Sequence, residues 1–485
     1  MEHQNRNFGS PLKIAGTIGL ILSCMAGISL FWPEQNPRIG SLEIRWKSWS
    51  ALWQADTLKE VDLKVLEEQR RQDSLRLASL KGYEDSLRVL LELKAKDPAQ
   101  IHLPVRAPEV LDGFFAQLDS LESKQGAPLV RILHWGDSQI EIDRISDVIR
   151  NEFQARFGGM GPGLLPVQQT IPSATVGQTA TGKLRRYLLW GPPSGRYSEH
   201  RRYGPLLSFS KMDSGQVELG FMKGIYATAA SGKYTKILVL TGDRKSELHA
   251  SASFGQSQRL PAGNDLRVIQ FKSSEALSQV RLTLQSDSAA VLYGVSLSGN
   301  SGVVVDNLPM RGCSGTIFTG TEAQSMAQGL RALGADLLLM EFGGNIIPSL
   351  NGLKSASNYA STMGKQIDFL KRTGQGRPIL FMGPSDMAVF KEGSWRTYPI
   401  LPEYVRILKD TVLAHGAAYF DMMAAMGGAQ SMVAWVKASP QLAVGDYIHF
   451  SNRGAKKMGQ IFQAALMQEY ELYRLRKRVK IIAQK

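Results

Sequence analysis

Cysteine is almost missing from this sequence, which contains only Cys24 and Cys313 among 485 residues. Cys24 lies in an apolar N-terminal segment, so a disulfide bond inside the remaining chain is excluded. Histidine is also scarce, with 7 residues, and the sequence contains neither CxxC pairs nor clusters of histidine and cysteine. We therefore expect no metal site and no cofactor.

Charged residues are not abundant either. They make up 21% of the chain against 43% hydrophobic residues, a balance typical of a folded globular protein. Their net charge of +14 favours an anionic neighbour such as a membrane surface, a cell-wall polymer or nucleic acid. No nucleic-acid-binding motif is present, so we expect no nucleic-acid partner. The length leaves room for two or three domains.

One long uncharged run lies near the N-terminus. Residues 14–32 are mostly apolar and, at about 1.5 Å per residue, long enough to span a bilayer as a helix. Small residues lower its hydropathy, so a cleaved signal peptide is a second interpretation. We favour an uncleaved signal anchor after an N-terminal tail of residues 1–13, because the apolar run continues through Trp32 without a clear cleavage site.

Two further segments are charged and repetitive. Residues 51–96 are predicted to form one long helix with recurring leucines, either a coiled coil that makes the protein an oligomer or a single solvated stalk. Prolines then mark residues 97–127 as a linker. At the other end, residues 471–485 are strongly basic and are predicted to form a tail, either solvated or in contact with anionic lipid or wall polymer.

The residue pattern changes in the middle of the chain. Residues 173–306 alternate apolar and polar side chains over strand lengths, with turn residues between them, which predicts an all-β sandwich. The flanking residues 128–172 and 307–470 alternate strand-like and helical patterns, as a doubly wound parallel α/β sheet requires. The sandwich would therefore be an insertion in that sheet. Four of its aromatic residues could stack on sugar rings, although packing is their commoner role: Tyr187, Trp190, Tyr197 and Tyr203.

A serine follows the first predicted strand of the sheet. Ser138 stands in Gly136-Asp137-Ser138, directly after the apolar run 129–133. At a strand-to-helix turn its backbone N–H would be free to bind an oxyanion. Far downstream, Asp446 and His449 lie three residues apart. A serine needs such a base and an orienting carboxylate to become a nucleophile, so the combination favours an enzyme although each piece alone is also an ordinary turn or an incidental histidine.

Two loops lie between these motifs. Asn345 follows the buried-strand run 336–340 and could donate its side-chain N–H to a developing negative oxygen. The turn at residues 311–316 contains Gly312 and Gly315, either of which could donate a backbone N–H.

The order Gly-Asp-Ser, Gly, Gly-x-Asn, Asp-x-x-His resembles the SGNH or GDSL hydrolase family. The resemblance implies a doubly wound α/β fold, with Ser138 as nucleophile, His449 as general base and Asp446 orienting it. The oxyanion hole would comprise the N–H groups of Ser138 and Gly315, with Gly312 as the alternative glycine, and the side chain of Asn345. The sequence departs at two positions outside this set. Gln139 replaces the family's leucine, and Ile346 replaces an aspartate that often follows the asparagine.

Three further segments, residues 157–163, 379–387 and 419–428, resemble the bacterial peptidoglycan O-acetylesterase branch of that family. This implies a carbohydrate-module-like insertion and a serine esterase that removes O-acetyl groups from an envelope glycan, first of all peptidoglycan. The catalytic domain would face the periplasm from the bacterial inner membrane. The alternative is a glycan O-acetyltransferase working with a membrane-bound O-acyltransferase, since a sugar hydroxyl can replace water in attacking the acyl-enzyme.

Overall fold

The computed structural model describes residues 11–31, 38–39, 42–43, 83–191 and 200–483. The chain divides into two compact units, one up to residue 69 and one from residue 70. The first unit contains helix α1 (Pro11–Phe31) and the antiparallel strands β1 (Arg38–Ile39) and β2 (Leu42–Glu43). Within the described part of the chain, no helix combines the length and the apolar character needed to cross a membrane, so the predicted anchor is not confirmed. Residues 51–82 of the predicted stalk lie outside the described residues.

The second unit is built around a six-stranded sheet with the order β16-β4-β17-β18-β21-β3. Its strands are β3 (Ile101–His102), β4 (Leu129–Gly136), β16 (Gly302–Pro309), β17 (Ala335–Glu341), β18 (Ile379–Met382) and β21 (Ala418–Phe420). Five strands are parallel, and β3 pairs antiparallel with β21 at one edge. The parallel strands end on one side of the sheet, and the loops that follow them therefore meet there.

Helices cover both faces of this sheet. They are α2 (Tyr83–Lys96), α3 (Asp112–Glu122), α4 (Ser146–Phe157), α5 (Ala323–Leu333), α6 (Leu353–Thr373), α7 (Leu401–Ala414), α8 (Met422–Met426), α9 (Ser431–Lys437) and α10 (Asn452–Ala483). One core holds apolar residues of α5, α6 and α7, and the other holds those of α3, α4 and α10. Strand β4 alternates between them, with Leu133 and Trp135 in the first core and Val130 and Ile132 in the second. This is the α/β architecture with a parallel sheet that the sequence predicts.

Between β4 and β16 the chain forms two antiparallel sheets that share one apolar core. Their orders are β13-β10-β15-β8-β7, with β5 beside β15, and β12-β11-β14-β9-β6. The strands are β5 (Gly163–Leu165), β6 (Val176–Thr181), β7 (Leu184–Leu188), β8 (Ser208–Met212), β9 (Gly215–Lys223), β10 (Tyr234–Arg244), β11 (Leu248–Ala252), β12 (Ser257–Leu260), β13 (Arg267–Leu277), β14 (Gln279–Ser286) and β15 (Ala290–Ser298). We call residues 163–298 the insert. It begins before the predicted boundary at 173, and β16 already belongs to the parallel sheet before the predicted boundary at 307.

Buried polar contacts join the insert to the parallel sheet. The Arg131 guanidinium on β4 pairs with Asp306 on β16 at 2.6 Å and donates to Ser296 Oγ on β15 at 2.9 Å. The Trp135 Nε1–H donates to the Pro205 carbonyl at 2.7 Å. Arg131 is fully buried, so its charge needs hydrogen-bond partners inside the protein. The insert supplies one of them, Ser296.

The predicted linker at 97–127 is wrong, because part of it belongs to the second unit. Strand β3 extends the sheet, and helix α3 buries Phe114, Phe115 and Leu118. Those three side chains lie on one helical face, which packs into the core beside α4 and α10. The prolines before this helix suggested a linker, but the apolar face of the helix places the segment in the core.

The ends of the predicted stalk and tail also pack on this unit. Lys94 of α2 forms an ion pair of 2.6 Å with Glu469 of α10. The basic segment predicted as a tail is the last part of α10 as far as Ala483, and its cations pair with acidic residues in and before α3. These pairs are Arg474–Glu122, Arg476–Asp112, Lys477–Asp119 and Lys480–Glu109. From the sequence alone, solvent contact was one expectation for these basic residues. In the structure they form ion pairs with acidic residues on the protein surface.

Candidate active site

The serine turn follows β4 directly. Strand β4 ends at Gly136, and a short 3-10 helix begins at Ser138. A Cβ atom at Gly136 would lie 2.9 Å from Ile140 Cδ1, so a side chain in this tight turn would force Ile140 to shift. The Asp137 carboxylate accepts the Gln139 N–H at 3.0 Å, which caps the turn.

Ser138, His449 and Asp446 form a continuous hydrogen-bonded chain. Ser138 Oγ lies 2.8 Å from His449 Nε2, and His449 Nδ1 lies 2.7 Å from Asp446 Oδ2. The other oxygen of Asp446 accepts the backbone N–H groups of Ile448 and His449 at 2.9 and 3.0 Å. Partial burial by itself would raise the pKa of Asp446, but these hydrogen bonds outweigh it and the pKa lies below its ordinary value. An ionised carboxylate therefore faces the imidazole, as activation of a serine requires.

The two loops expected to supply oxyanion donors meet beside this chain. Asn345 Nδ2 donates to Asp137 Oδ2 at 2.9 Å and to the Cys313 carbonyl at 3.1 Å. The Gly315 N–H donates to Cys313 Sγ at 3.3 Å. Both predicted donors therefore have acceptors within the protein, and an oxyanion would have to take over or share one of these bonds.

The geometry favours Gly315 over Gly312 as the glycine that this turn needs. Gly315 has a φ of +81°, and a Cβ atom there would lie 2.5 Å from Phe342 Cγ. Gly312 also has a positive φ but faces open space. The chain thus packs Gly315 closely against the residue that follows β17, near Asn345. Its role as an oxyanion donor stays a prediction.

Arg144 is a site residue that the sequence did not reveal. Its guanidinium donates to the carbonyls of Ser138 and Phe450, the latter at 3.0 Å, and so ties the serine turn to the histidine loop. Gln139 makes a second tie between the same segments. In the sequence, its only signal was that it stands where the motif that the sequence resembles has leucine, and nothing in the sequence gave it a role.

A buried acidic pair lies beneath the serine. Burial and the nearby Glu341 charge raise the pKa of Asp137 to about 7. Burial raises the pKa of Glu341 to about 8. His134 Nε2 lies 3.3 Å from Glu341, but burial and Arg150 lower the pKa of His134 to about 3. The contact is therefore between a neutral imidazole and a carboxyl group that is protonated near neutral pH, rather than an ion pair.

The aromatic residues proposed to bind sugars have different fates. Tyr203 is 2% exposed, so it is a packing residue. Tyr187 is partly buried and stacks on Phe209 with ring centroids 4.9 Å apart. Trp190 is also partly buried and lies beside the Arg186 guanidinium. Tyr197 lies outside the described residues.

Comparisons with known proteins agree with this architecture. No model of a known family matches the sequence, and a search among curated proteins gives no significant match. A solved peptidoglycan O-acetylesterase structure superposes with a TM-score of 0.60 at 17% identity, covering 78% of this chain and 97% of that one. At this identity the likeness establishes that the two proteins share a fold and nothing beyond it.

Other carbohydrate esterases match less well. A family two carbohydrate esterase from Cellvibrio japonicus is 8% identical, covers 61% of this chain and 99% of that one, and has a TM-score of 0.24. An acetyl xylan esterase is 13% identical, covers 34% and 81%, and has a TM-score of 0.26. At such TM-scores neither structure adds to the assignment of the fold.

Proposed function

We propose that this protein is a serine esterase that removes O-acetyl groups from an envelope glycan, with peptidoglycan as the first candidate. The observation that carries the proposal is the chain from Ser138 through His449 to Asp446, in which every link has hydrogen-bond length. The fold shared with a peptidoglycan O-acetylesterase supports the choice of substrate.

The reaction follows from this geometry. His449 Nε2 takes the Ser138 proton as Oγ attacks the acetyl carbonyl, and Asp446 stabilises the imidazolium that forms. The N–H groups of Ser138 and Gly315 and the Asn345 amide bind the oxyanion. His449 then gives its proton to the departing sugar oxygen, which leaves acetyl-Ser138. His449 next takes a proton from water as the water oxygen attacks the acyl-enzyme, and it returns that proton to Ser138 Oγ as the C–O bond to the serine breaks. Acetic acid leaves and gives up its proton to solvent as acetate.

The test measures acetate released from O-acetylated peptidoglycan by the purified protein. Ser138→Ala and His449→Ala should each abolish release, and by similar factors, because such residues act as a unit. Asp446→Asn should be milder. Ser274→Ala, an exposed serine on β13, is the matched control and should keep full activity. Turnover by folded Ser138→Ala would remove the serine from the mechanism.

A second measurement follows the acyl group. Mass spectrometry of the wild-type protein after brief exposure to 4-nitrophenyl acetate should find an acetyl group on the peptide that contains Ser138. Transfer of acetyl groups to added glycan in preference to water would replace the esterase with an acetyltransferase.

We also propose, from the sequence resemblance alone, that the catalytic domain faces the periplasm and that the N-terminal segment anchors it. Protease added to spheroplasts should then cleave the full-length protein in its catalytic domain. Full protection in intact spheroplasts and cleavage only after lysis would overturn this placement.

A further inference from the structure

A cleft lies beside the serine turn, between the insert and the parallel sheet. The cavity itself has a volume of about 50 Å³, and the empty space that includes the part open to solvent is about 640 Å³. Arg186 and Trp190 line it from the insert, and Pro309 and Met310 line it from the end of β16. The Met310 N–H donates to the Gly136 carbonyl at 2.8 Å, so the cleft adjoins the end of the strand that presents the serine.

Arg186 contributes a positive charge to this cleft. It is half-buried on β7, and its Nη1 donates to Thr170 Oγ1 at 2.5 Å. Its guanidinium carbon lies 5.9 Å from the centre of the Trp190 ring. No carboxylate pairs with it among the described residues, and the edge formed by Nε and Nη2 has no acceptor there.

The acidic residue that lines the same cleft does not offset this charge, because its own partners occupy it. Asp143 forms an ion pair with Arg150 at 3.3 Å. It also accepts the backbone N–H groups of Ala174 and Thr175 at 3.1 and 3.3 Å. Within the described part of the chain, the Arg186 cation in this cleft therefore has no carboxylate partner.

A half-buried guanidinium in a cleft open to solvent can exchange its hydrating water for an anionic ligand. The Nε and Nη2 hydrogens of a guanidinium point in parallel and match the two oxygens of a carboxylate. The Trp190 ring holds the guanidinium by a cation–π contact and adds an apolar wall. Together these features suit a sugar that carries a carboxylate.

We propose that this cleft is a subsite for an acidic glycan, in which Arg186 binds a sugar carboxylate while an acetyl ester of the same chain reaches Ser138. The proposal rests on the proposed esterase function. It adds to it that carboxylated glycans are preferred over neutral ones.

The experiment compares acetylated polymers that share one backbone. Carboxymethyl cellulose, hydroxyethyl cellulose and cellulose phosphate are acetylated to the same degree and offered to the wild-type protein. Acetate release should have a kcat/KM about tenfold or more higher for the carboxymethyl polymer than for the neutral one, as expected for charge-assisted hydrogen bonds. Equal rates on these two polymers, or a preference for the phosphate polymer, would overturn the proposal.

Two substitutions of Arg186 test the residue, and each is checked by its melting temperature. Arg186→Gln should lose most of the preference for the carboxymethyl polymer over the neutral one. Arg186→Lys keeps the charge without the two-hydrogen edge and should retain part of the preference. Arg185→Gln removes the same charge from the exposed neighbouring position and should leave the preference intact. If Arg185→Gln matched Arg186→Gln, a diffuse surface field would explain the preference and the subsite would be lost.

Failure of the esterase function is distinguishable from failure of the subsite. A wild-type protein that hydrolyses neither 4-nitrophenyl acetate nor any acetylated polymer is not the proposed esterase. Calorimetry with Ser138→Ala and carboxymethyl cello-oligosaccharides then decides on the subsite alone. Binding should exceed that of neutral cello-oligosaccharides and be lost when Arg186→Gln is added, and equal binding of both oligosaccharides would overturn it.

Discussion

The side chain of Gln139 holds the backbone on both sides of His449. Its Nε2 donates to the Ile448 carbonyl at 2.8 Å, and its Oε1 accepts the Phe450 N–H at 3.2 Å. Because Gln139 directly follows Ser138, the pair of bonds fixes the distance between nucleophile and base. Catalysis of this kind is sensitive to displacements of about 1 Å, so Gln139 acts as a positioning residue.

Gln139→Leu should lower kcat about tenfold or more while KM changes little, because the bonds set the Ser138–His449 distance and touch no substrate. Gln139→Glu keeps the acceptor for the Phe450 N–H and should be less damaging. Gln125→Leu, on an exposed loop, is the matched control. Steady-state kinetics on 4-nitrophenyl acetate measure the effect. A rise in KM at unchanged kcat would instead make Gln139 a substrate-binding residue.

Asn345→Ala should lower kcat by about 10²–10³-fold, the usual loss for one oxyanion donor. Because the same amide also holds Asp137 and the Cys313 carbonyl, the melting temperature should fall as well. Asn351→Ala, an exposed asparagine nearby, should change neither quantity. If Asn345→Ala lowered the melting temperature and left kcat intact, the asparagine would be a structural residue and the oxyanion hole would need another donor.

The buried acids make stability depend on pH. The folded-state pKa of Asp137 is about 7 and that of Glu341 about 8, both above the ordinary values of 3.8 and 4.5. Between these limits the folded state binds more protons than the unfolded state. The free energy of unfolding should therefore fall as pH rises from about 5 to about 8.

Glu341→Gln removes the titration of that acid and keeps its shape. The variant should unfold less readily than the wild type at pH 8, by about 1 kcal/mol or more, and the difference should shrink at pH 5, where the wild-type acid is neutral. Urea unfolding at the two pH values measures it, with the exposed Glu275→Gln as control. An equal effect at both pH values would mean that Glu341 is not the titrating group.

The sequence predicted the parts of the site that are local. Ser138 was identifiable because a strand, a glycine and a serine follow one another, and Asp446 and His449 because they lie three residues apart. The hydrogen bonds of Gln139 and Arg144 could not be predicted from the sequence. They join segments more than 300 residues apart and involve backbone carbonyls and N–H groups. Which residues approach a carbonyl depends on how two loops fold together, and no spacing in the sequence reports it.

The fold shows the same division. The alternation of strands and helices predicted the parallel sheet, because each strand has its own apolar run. The segment around α3 was assigned to a linker because prolines precede it, and Phe114 shows that an apolar helical face outweighs them. The ion pairs of the α10 cations could not be predicted from the sequence. The acidic residues that pair with them lie about 360 positions earlier, as for Lys477 and Asp119.

A last prediction concerns how the insert and the sheet unfold. Apolar residues of both, such as Leu206 of the insert and Trp135 of β4, belong to one core. We therefore expect residues 83–483 to unfold in a single transition rather than as two modules. Urea unfolding followed by tryptophan fluorescence and by circular dichroism should give coincident curves.

The variant that probes this boundary is Trp135→Phe. It keeps an aromatic ring but removes the N–H that the Pro205 carbonyl accepts at 2.7 Å. The buried carbonyl would lose its partner, so the free energy of unfolding should fall by about 1–3 kcal/mol with the two curves still coincident. Trp395, on the hairpin of β19 (Ala388–Lys391) and β20 (Ser394–Thr397), stacks on Tyr447 with ring centroids 3.8 Å apart, and its ring N–H has no acceptor among the described residues. Trp395→Phe should therefore cost less. Curves that separate in the wild type would mean that the insert folds as an independent module.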